Sequence, residues 1–283
     1  MKHHSAGFIS AMRFTNGKLY SGGKDGKVFQ IDTTSKSVTK SWDFPGLVRA
    51  IDFDMNKLIV GQRDGTITVV DASGAKNDVM KSHSDGEVWG LSVTPIGRVL
   101  TSGDDNKAMM WDPKTRKSVG VMEVSKREVK IKRGASTLST LPDSQCSRAV
   151  AIIEDWICIA SNDGAVSVRR NVAGGPATEQ TLLNDAKEWI EVMAFSPNKQ
   201  YLAVGSHDNN IYIYNVGDFS LVGSCKSHRS YIMAMDWSAD SSIIRSNCGA
   251  YELLFHTIPN CAQDPNGRSN TVNTAWATQT VKF

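Results

Sequence analysis

The sequence lacks the features that would direct it to a membrane, a secretory route or nucleic acid. None of its apolar runs approaches the roughly 20 residues that a membrane-spanning helix needs. Its start, MKHHSAGFIS, has no long apolar stretch of the secretory type. The net charge is only +3, which is too small to indicate nucleic-acid binding unless the charge is clustered. We therefore expect neither a membrane nor a nucleic-acid partner.

The sequence also lacks the usual spacings of metal, redox and phosphate sites. Its 5 cysteines include no C-x-x-C pair, and its 6 histidines show no ligand-type spacing. The glycine-rich stretch GGKDGK at 22–27 differs from the P-loop pattern and is not followed by a helix signal. We expect no metal, no cofactor and no small-molecule substrate, and scattered unpaired cysteines indicate a reducing, cytoplasmic location.

A short turn recurs along the whole chain. In SGDDNKAMMWD (102–112), Asp105 lies six residues before Trp111. The same spacing starts at Asp25, Asp64, Asp163 and Asp208, with Ala250 in the sixth copy. The intervals between copies are 39, 41, 58, 45 and 42 residues. A period near 40 residues is typical of repeat architectures.

Each repeat reads as four short strands. FISAMRF, KLYSGG and KVFQID form the first three strands of the first copy, joined by polar turns. Asp-Gly and Asp-Asn steps favour tight hairpins, because both positions tolerate positive φ. Four antiparallel strands per unit of about 40–45 residues describe one propeller blade. The fold class is therefore all-β, with about six four-stranded antiparallel blades.

The repeat resembles the WD-repeat family. That resemblance implies hydrogen bonds within a blade between a histidine, a Ser or Thr, the turn Asp and the Trp. Only the third copy offers all four types, as His83, Ser102, Asp105 and Trp111. The alternative is a hydrolytic triad of Asp105, His83 and Ser102, but six versions of one turn favour the structural interpretation. Blades with other residues at the tryptophan position, such as Arg169 and His256, are expected to be held by packing instead.

Longer segments resemble one branch of that family, the C-terminal propeller of the echinoderm microtubule-associated protein-like proteins. The segments are SHSDGEVWGLSV, YLAVGSHDNNIYIYNV, SYIMAMDWSADSS and NTAWATQTVKF. The resemblance implies a larger ring, of which this chain would be an incomplete part. We expect residues 265–283 to supply the fourth strand of the sixth blade. We also expect an incomplete or unusually joined contact between the first and sixth blades.

These patterns predict one propeller domain over 1–283. The blades are expected at 5–43, 44–80, 81–125, 145–183, 184–226 and 227–283, with a basic insertion at 125–145. In that insertion Lys126, Arg127, Lys130, Lys132 and Arg133 could meet an acidic surface such as tubulin, or form a solvated rim. Trp189 is the best candidate for an exposed aromatic contact.

The sequence favours a non-catalytic protein-interaction scaffold over an enzyme, since no turn collects acidic or histidine residues beyond the repeated Asp. The resemblance narrows the scaffold to a cytoskeletal protein with tubulin or microtubules as partner. The alternative is a general WD-repeat adaptor in a complex unrelated to microtubules, because fold does not fix function.

Overall fold

We describe the fold from a computed structural model. It describes residues 3–5, 7–54, 57–84, 86–94, 97–125, 146–171 and 177–281. The chain divides into two compact units, Met1–Asp85 and Gly86–Phe283. The expectation of a single domain over 1–283, and of an unusual ring junction, stays a prediction.

The first unit contains two blades. Blade one consists of β1 (Ile9–Thr15), β2 (Lys18–Gly23), β3 (Lys27–Asp32) and β4 (Val38–Asp43), and blade two of β5 (Val48–Asp54), β6 (Lys57–Gln62), β7 (Ile67–Val70) and β8 (Lys76–Met80). Each blade is an antiparallel sheet in chain order. Tyr20, Val28, Val48 and Val60 belong to one apolar cluster between the two sheets. Burial between neighbouring blades, rather than within one, holds this unit together.

The second unit contains four blades. Blade three consists of β9 (Val88–Val93), β10 (Val99–Gly103), β11 (Lys107–Asp112) and β12 (Lys117–Glu123), and blade four of β13 (Val150–Ile153), β14 (Trp156–Ala160), β15 (Val166–Arg170) and β16 (Thr178–Leu183). Blade five consists of β17 (Ile190–Phe195), β18 (Tyr201–Ser206), β19 (Ile211–Asn215) and β20 (Leu221–Cys225). Blade six consists of β21 (Ile232–Trp237), β22 (Ile243–Cys248), β23 (Leu253–Thr257) and β24 (Ala262–Gln263), followed by the single turn α1 (Gly267–Asn270).

Within the described residues there are thus six four-stranded antiparallel sheets, which confirms the predicted all-β class and blade number. Apolar clusters again lie between consecutive blades of the second unit. Leu100 of blade three packs with Val150 of blade four, and Ile211 of blade five with Ile232 of blade six. Trp237 is 2% exposed and donates its indole N–H to the carbonyl of Ala194 at 3.1 Å, so this tryptophan joins blades five and six.

The predicted fourth strand of blade six is wrong. The short β24 pairs with β23 ahead of α1, and residues 275–277 return instead to the end of β21. There the Ala277 N–H donates to the Trp237 carbonyl at 2.9 Å. We call residues 275–281 the C-terminal strap.

The strap is fixed by one buried carboxylate. Asp236 is fully buried and accepts hydrogen bonds from Thr278, from the backbone N–H of Thr280 at 2.8 Å and from that of Val281 at 3.1 Å. Arg245 donates to it from the neighbouring strand at 3.0 Å. This carboxylate holds the strap on blade six. The strand-pairing patterns of the sequence could not have predicted this contact.

Asp236→Asn should destabilise the protein at neutral pH by about 3–5 kcal/mol, because Arg245 would stay buried without its counter-charge. Burial alone raises the pKa of Asp236, but hydrogen bonds from the strap outweigh burial and hold the pKa below 3.8. The carboxylate's contribution is therefore present above pH 3.8 and is lost as the pH falls through the folded-state pKa.

Urea-unfolding midpoints of the wild type and the variant over a pH series check this prediction. The gap between the two proteins should narrow below pH 3.8. Asp155→Asn, at an exposed turn, is the control and should change little. A gap that stays constant with pH would contradict the assignment.

Candidate functional site

The repeated turn aspartates share one contact. Each accepts a hydrogen bond from the backbone N–H two residues later, which closes an Asx turn between the second and third strands. The pairs are Asp25 with Lys27 (3.2 Å), Asp64 with Thr66 (3.0 Å), Asp105 with Lys107 (3.2 Å), Asp163 with Ala165 (2.9 Å) and Asp208 with Asn210 (3.2 Å). The carboxylate thus stabilises a turn whose backbone groups lie beyond the strand ladder.

Blade one contains a histidine network that the sequence did not predict. His4 Nδ1 lies 2.9 Å from Asp25 Oδ1, and His4 Nε2 lies 3.0 Å from Ser21 Oγ. Burial raises the pKa of Asp25, but hydrogen bonds from His4 and from the backbone of Ser5 and Lys27 produce a net lowering. The network links the segment before β1 to the β2–β3 turn.

In blade three, Trp111 donates its indole N–H to Thr101 Oγ1 at 2.8 Å. Thr101 lies four residues before Asp105, as Ser21 lies four before Asp25, so Thr101 occupies the hydroxyl position of the repeat. Ser102, which the sequence suggested for that position, donates instead to the carbonyl of Ser147 at 3.1 Å. His83 is partly buried and belongs to the first unit.

The same geometry bears on the hydrolytic alternative. Ser102 is 0% exposed and its hydroxyl is committed to a carbonyl, so it does not offer an accessible nucleophile.

Blade four is held at its tryptophan position by polar contacts, which corrects the expectation of packing alone. The Arg169 guanidinium donates to Ser167 Oγ at 3.0 Å and to the carbonyl of Glu123 at 2.7 Å. It also donates to Ser125 Oγ at 2.9 Å. A planar group with five N–H donors can satisfy several acceptors at once, and here it joins blades three and four.

Blade six supplies its carboxylate from a different position. Ala250 occupies the place of the repeat Asp. Glu252 accepts from the backbone N–H of Arg229 at 2.9 Å, as Asp25 of blade one accepts from the backbone N–H of Ser5. His228 Nε2 lies 2.7 Å from Ser246 Oγ, and the corresponding distance between His4 and Ser21 in blade one is 3.0 Å. Burial lowers the pKa of His228.

At the tryptophan position of blade six lies His256, which is 0% exposed. Burial lowers its pKa to about 4. This histidine is therefore neutral at physiological pH and fills the position as an uncharged ring.

A continuous row of stacked side chains crosses the four blades of the second unit. We call Trp89, Arg148, Trp189, His207 and Tyr231 the aromatic row. The Arg148 guanidinium carbon lies 4.1 Å from the Trp89 ring centroid and 4.6 Å from that of Trp189. The ring of His207 follows at 5.6 Å from Trp189 and 4.7 Å from Tyr231.

The aromatic row stays open to solvent although its members stack on one another. Trp89 is 41% exposed, Trp189 37% and Tyr231 40%. Two residues before each of these three aromatic residues, a backbone N–H donates a hydrogen bond to a carboxylate. The pairs are Glu87 with Asp104, Lys187 with Asp208 and Arg229 with Glu252. The turn carboxylates therefore set the position of the row.

The residues that the sequence suggested for partner binding have different outcomes in the structure. Trp189, the aromatic candidate from the sequence, lies in the middle of the aromatic row. Lys126, Arg127, Lys130, Lys132 and Arg133 lie outside the described residues. Arg148 was missed, since nothing in the sequence signals that it lies between two tryptophans distant in the chain.

Among the described residues, no helix has the length and apolar character needed to cross a membrane.

A family model described as the echinoderm microtubule-associated protein second β-propeller matches residues 88–283. The chain belongs to this family. It is 45% identical to a ciliary WD repeat-containing protein, ctxp80, from Euplotoides octocarinatus, over 99% of this chain and 40% of that protein.

A second relative is the 77 kDa echinoderm microtubule-associated protein of Lytechinus variegatus. It is 31% identical over 98% of this chain and 40% of its own length. The chain thus spans about two fifths of these two relatives. The crystal structure of the computationally designed Ika8 protein matches with a TM-score of 0.51 and 19% identity, over 90% of this chain and 72% of that one. That match supports the fold alone.

A double-mutant cycle tests the hydroxyl position of blade three. Trp111→Phe removes the indole donor, Thr101→Val removes its acceptor, and their effects should couple by about 1 kcal/mol, because the two residues share one hydrogen bond. The matched cycle pairs Trp111→Phe with Ser102→Ala and should be additive. Unfolding free energies measure both cycles, and coupling through Ser102 rather than Thr101 would refute the assignment.

Proposed function

We propose that this chain is the non-catalytic, protein-binding propeller of a microtubule-associated protein. The observation that carries the proposal is the aromatic row. Tryptophan, tyrosine and arginine are the residues that most often dominate binding energy in protein interfaces. Here the three aromatic side chains are exposed in one line across four blades, and the half-buried Arg148 lies between two of them.

The stacking also prepares the aromatic row for binding. Arg148 lies between two indole rings, and His207 Nε2 lies 3.2 Å from Glu191 Oε2, so neighbouring contacts hold these side chains before a partner arrives. Trp89 is fixed in the same way by its indole N–H, which donates to Asp104 at 2.9 Å. Side chains that are already ordered lose less conformational entropy on binding.

Microtubules are the partner that the relatives favour. One relative's name describes a microtubule-associated protein and another's a ciliary WD-repeat protein. We infer a cytoskeletal location in the cytoplasm, with ciliary microtubules as the first to test. The basic segment at Lys126, Arg127, Lys130, Lys132 and Arg133 is proposed as a second contact to the acidic tubulin surface, on sequence grounds only.

Co-sedimentation of the purified chain with stabilised microtubules tests the proposal. Trp189→Ala and Arg148→Met should each weaken binding by about tenfold or more, because loss of an interface hot spot typically costs about 2 kcal/mol. Leu221→Ala, at an exposed position of β20 outside the aromatic row, is the matched control and should bind like the wild type.

Far-ultraviolet circular dichroism of each variant shows whether it is folded. Saturable binding that is lost in the two row variants supports the proposal. If the folded wild type does not bind, this chain is not a microtubule-binding propeller by itself, and the general adaptor becomes the better interpretation. If the row variants bind normally, the aromatic row is not the contact surface.

A further inference from the structure

Blade six carries a cysteine at a β-ladder position where blade one has a glycine. Gly23 pairs with Ile9 at the end of β2, and Cys248 pairs with Ile232 at the same place in β22. A Cβ atom at Gly23 would lie 2.5 Å from His4 Nδ1 and 3.0 Å from Asp25 Oδ1. The side chain of Cys248 therefore enters the space that, in blade one, the hydrogen bond between His4 and Asp25 fills.

That substitution opens the network and brings three ligand atoms together. His228 Nδ1 lies 3.7 Å from Glu252 Oε2, compared with 2.9 Å for the corresponding atoms of His4 and Asp25. Cys248 Sγ lies 3.4 Å from the same Glu252 oxygen. All three ligand atoms lie within 4.8 Å of one another.

The unpartnered atom of the group is His228 Nδ1. The His228 side chain is 0% exposed, and Nδ1 is buried without a hydrogen-bond partner. A protonated Nδ1 would be a buried donor 3.7 Å from the nearest carboxylate, which is too long for a hydrogen bond. The favoured tautomer therefore carries the proton on Nε2 and donates it to Ser246, so that the Nδ1 lone pair points into the group.

We propose that His228, Cys248 and Glu252 bind a Zn²⁺-class metal ion in blade six. Neighbouring ligand atoms around a tetrahedral zinc ion are separated by about 3.3–3.6 Å, given metal–ligand bonds of about 2.0–2.3 Å. The two separations of 3.4 and 3.7 Å match that geometry with little movement. A nitrogen, a thiolate and a carboxylate form a donor set that Zn²⁺ and Co²⁺ accept.

The surroundings support these ligands. Ser246 orients His228 through its other ring nitrogen, and the backbone N–H of Arg229 donates to the Glu252 oxygen that would face the ion. Such second contacts fix the direction of ligand lone pairs. The Arg229 guanidinium lies 3.4 Å from the other Glu252 oxygen, but its side chain is 86% exposed and can turn into solvent. Glu252 is 24% exposed, which leaves a side for water as fourth ligand.

Metal binding at this site displaces one proton. The Cys248 thiol loses its proton to solvent as the sulfur–metal bond forms, while His228 keeps its proton on Nε2. Metal binding should therefore release about one proton per ion. The ion would replace, in blade six, the histidine–carboxylate hydrogen bond that joins the same two segments in blade one.

The test is a Co²⁺ titration of the reduced full chain, followed by absorption. We expect one equivalent of ion to produce sulfur-to-cobalt charge transfer together with the visible bands of tetrahedral cobalt, and Zn²⁺ to displace it. Zn²⁺ at about 100 times its dissociation constant should also raise the thermal unfolding midpoint by several degrees.

Three variants make the result specific. Cys248→Ala should abolish the charge-transfer band, Glu252→Gln should weaken binding at least tenfold, and Cys261→Ala should bind like the wild type. Cys248→Ser replaces Cys248→Ala if the alanine variant does not fold. Absence of the band in the folded wild type, or an equal band in the folded Cys248 variant, overturns the proposal.

Discussion

The contact that blades one to five share is a carboxylate that closes the turn between the second and third strands. A tight turn leaves backbone N–H groups without partners in the strand ladder, and a short acidic side chain satisfies them locally. In blades one and five the same carboxylate also accepts from the segment before the first strand, as Asp208 does from Lys187, and in blade six Glu252 makes this second contact. One side chain thus joins two parts of the chain that the strand ladder does not connect.

This constraint connects the fold to the proposed binding surface. The N–H groups of Glu87, Lys187 and Arg229 are each held by a carboxylate, and two residues later the chain presents Trp89, Trp189 and Tyr231. Trp189 and Tyr231 each lie one residue before the first strand of their blade, and Trp89 is the second residue of β9, so all three side chains emerge near the start of a first strand. Arg148 and His207 then occupy the spaces between them. The repeated scaffold therefore yields an ordered exposed row.

The sequence predicted what is periodic, and it missed what depends on register or on distant contacts. Strand type, blade number and the turn aspartates followed from spacing alone. The assignment of Ser102 to the hydroxyl position was wrong, because neighbouring strand residues face opposite sides and the sequence does not reveal which side contacts Trp111. His4 and Asp25 lie 21 residues apart, and nothing local in the sequence signals their contact.

Other misses arose where this chain departs from its own repeat. In blade six the carboxylate comes from Glu252, two residues after the position of Ala250. Arg169 at a tryptophan position suggested a blade held by packing, yet its guanidinium donates to acceptors on two blades. The pairing of the C-terminal strap with β21 follows from the buried charge of Asp236, which strand patterns do not encode.

Hydroxyl-radical footprinting of the chain, free and saturated with microtubules, tests the central claim most directly, since it reports the solvent access of individual side chains. We predict that oxidation of Trp89, Trp189 and Tyr231 slows severalfold in the complex. Trp156, which packs on Phe219 away from the aromatic row, should react at an unchanged rate. Equal oxidation of the three row residues in the free and fully bound states would contradict the account.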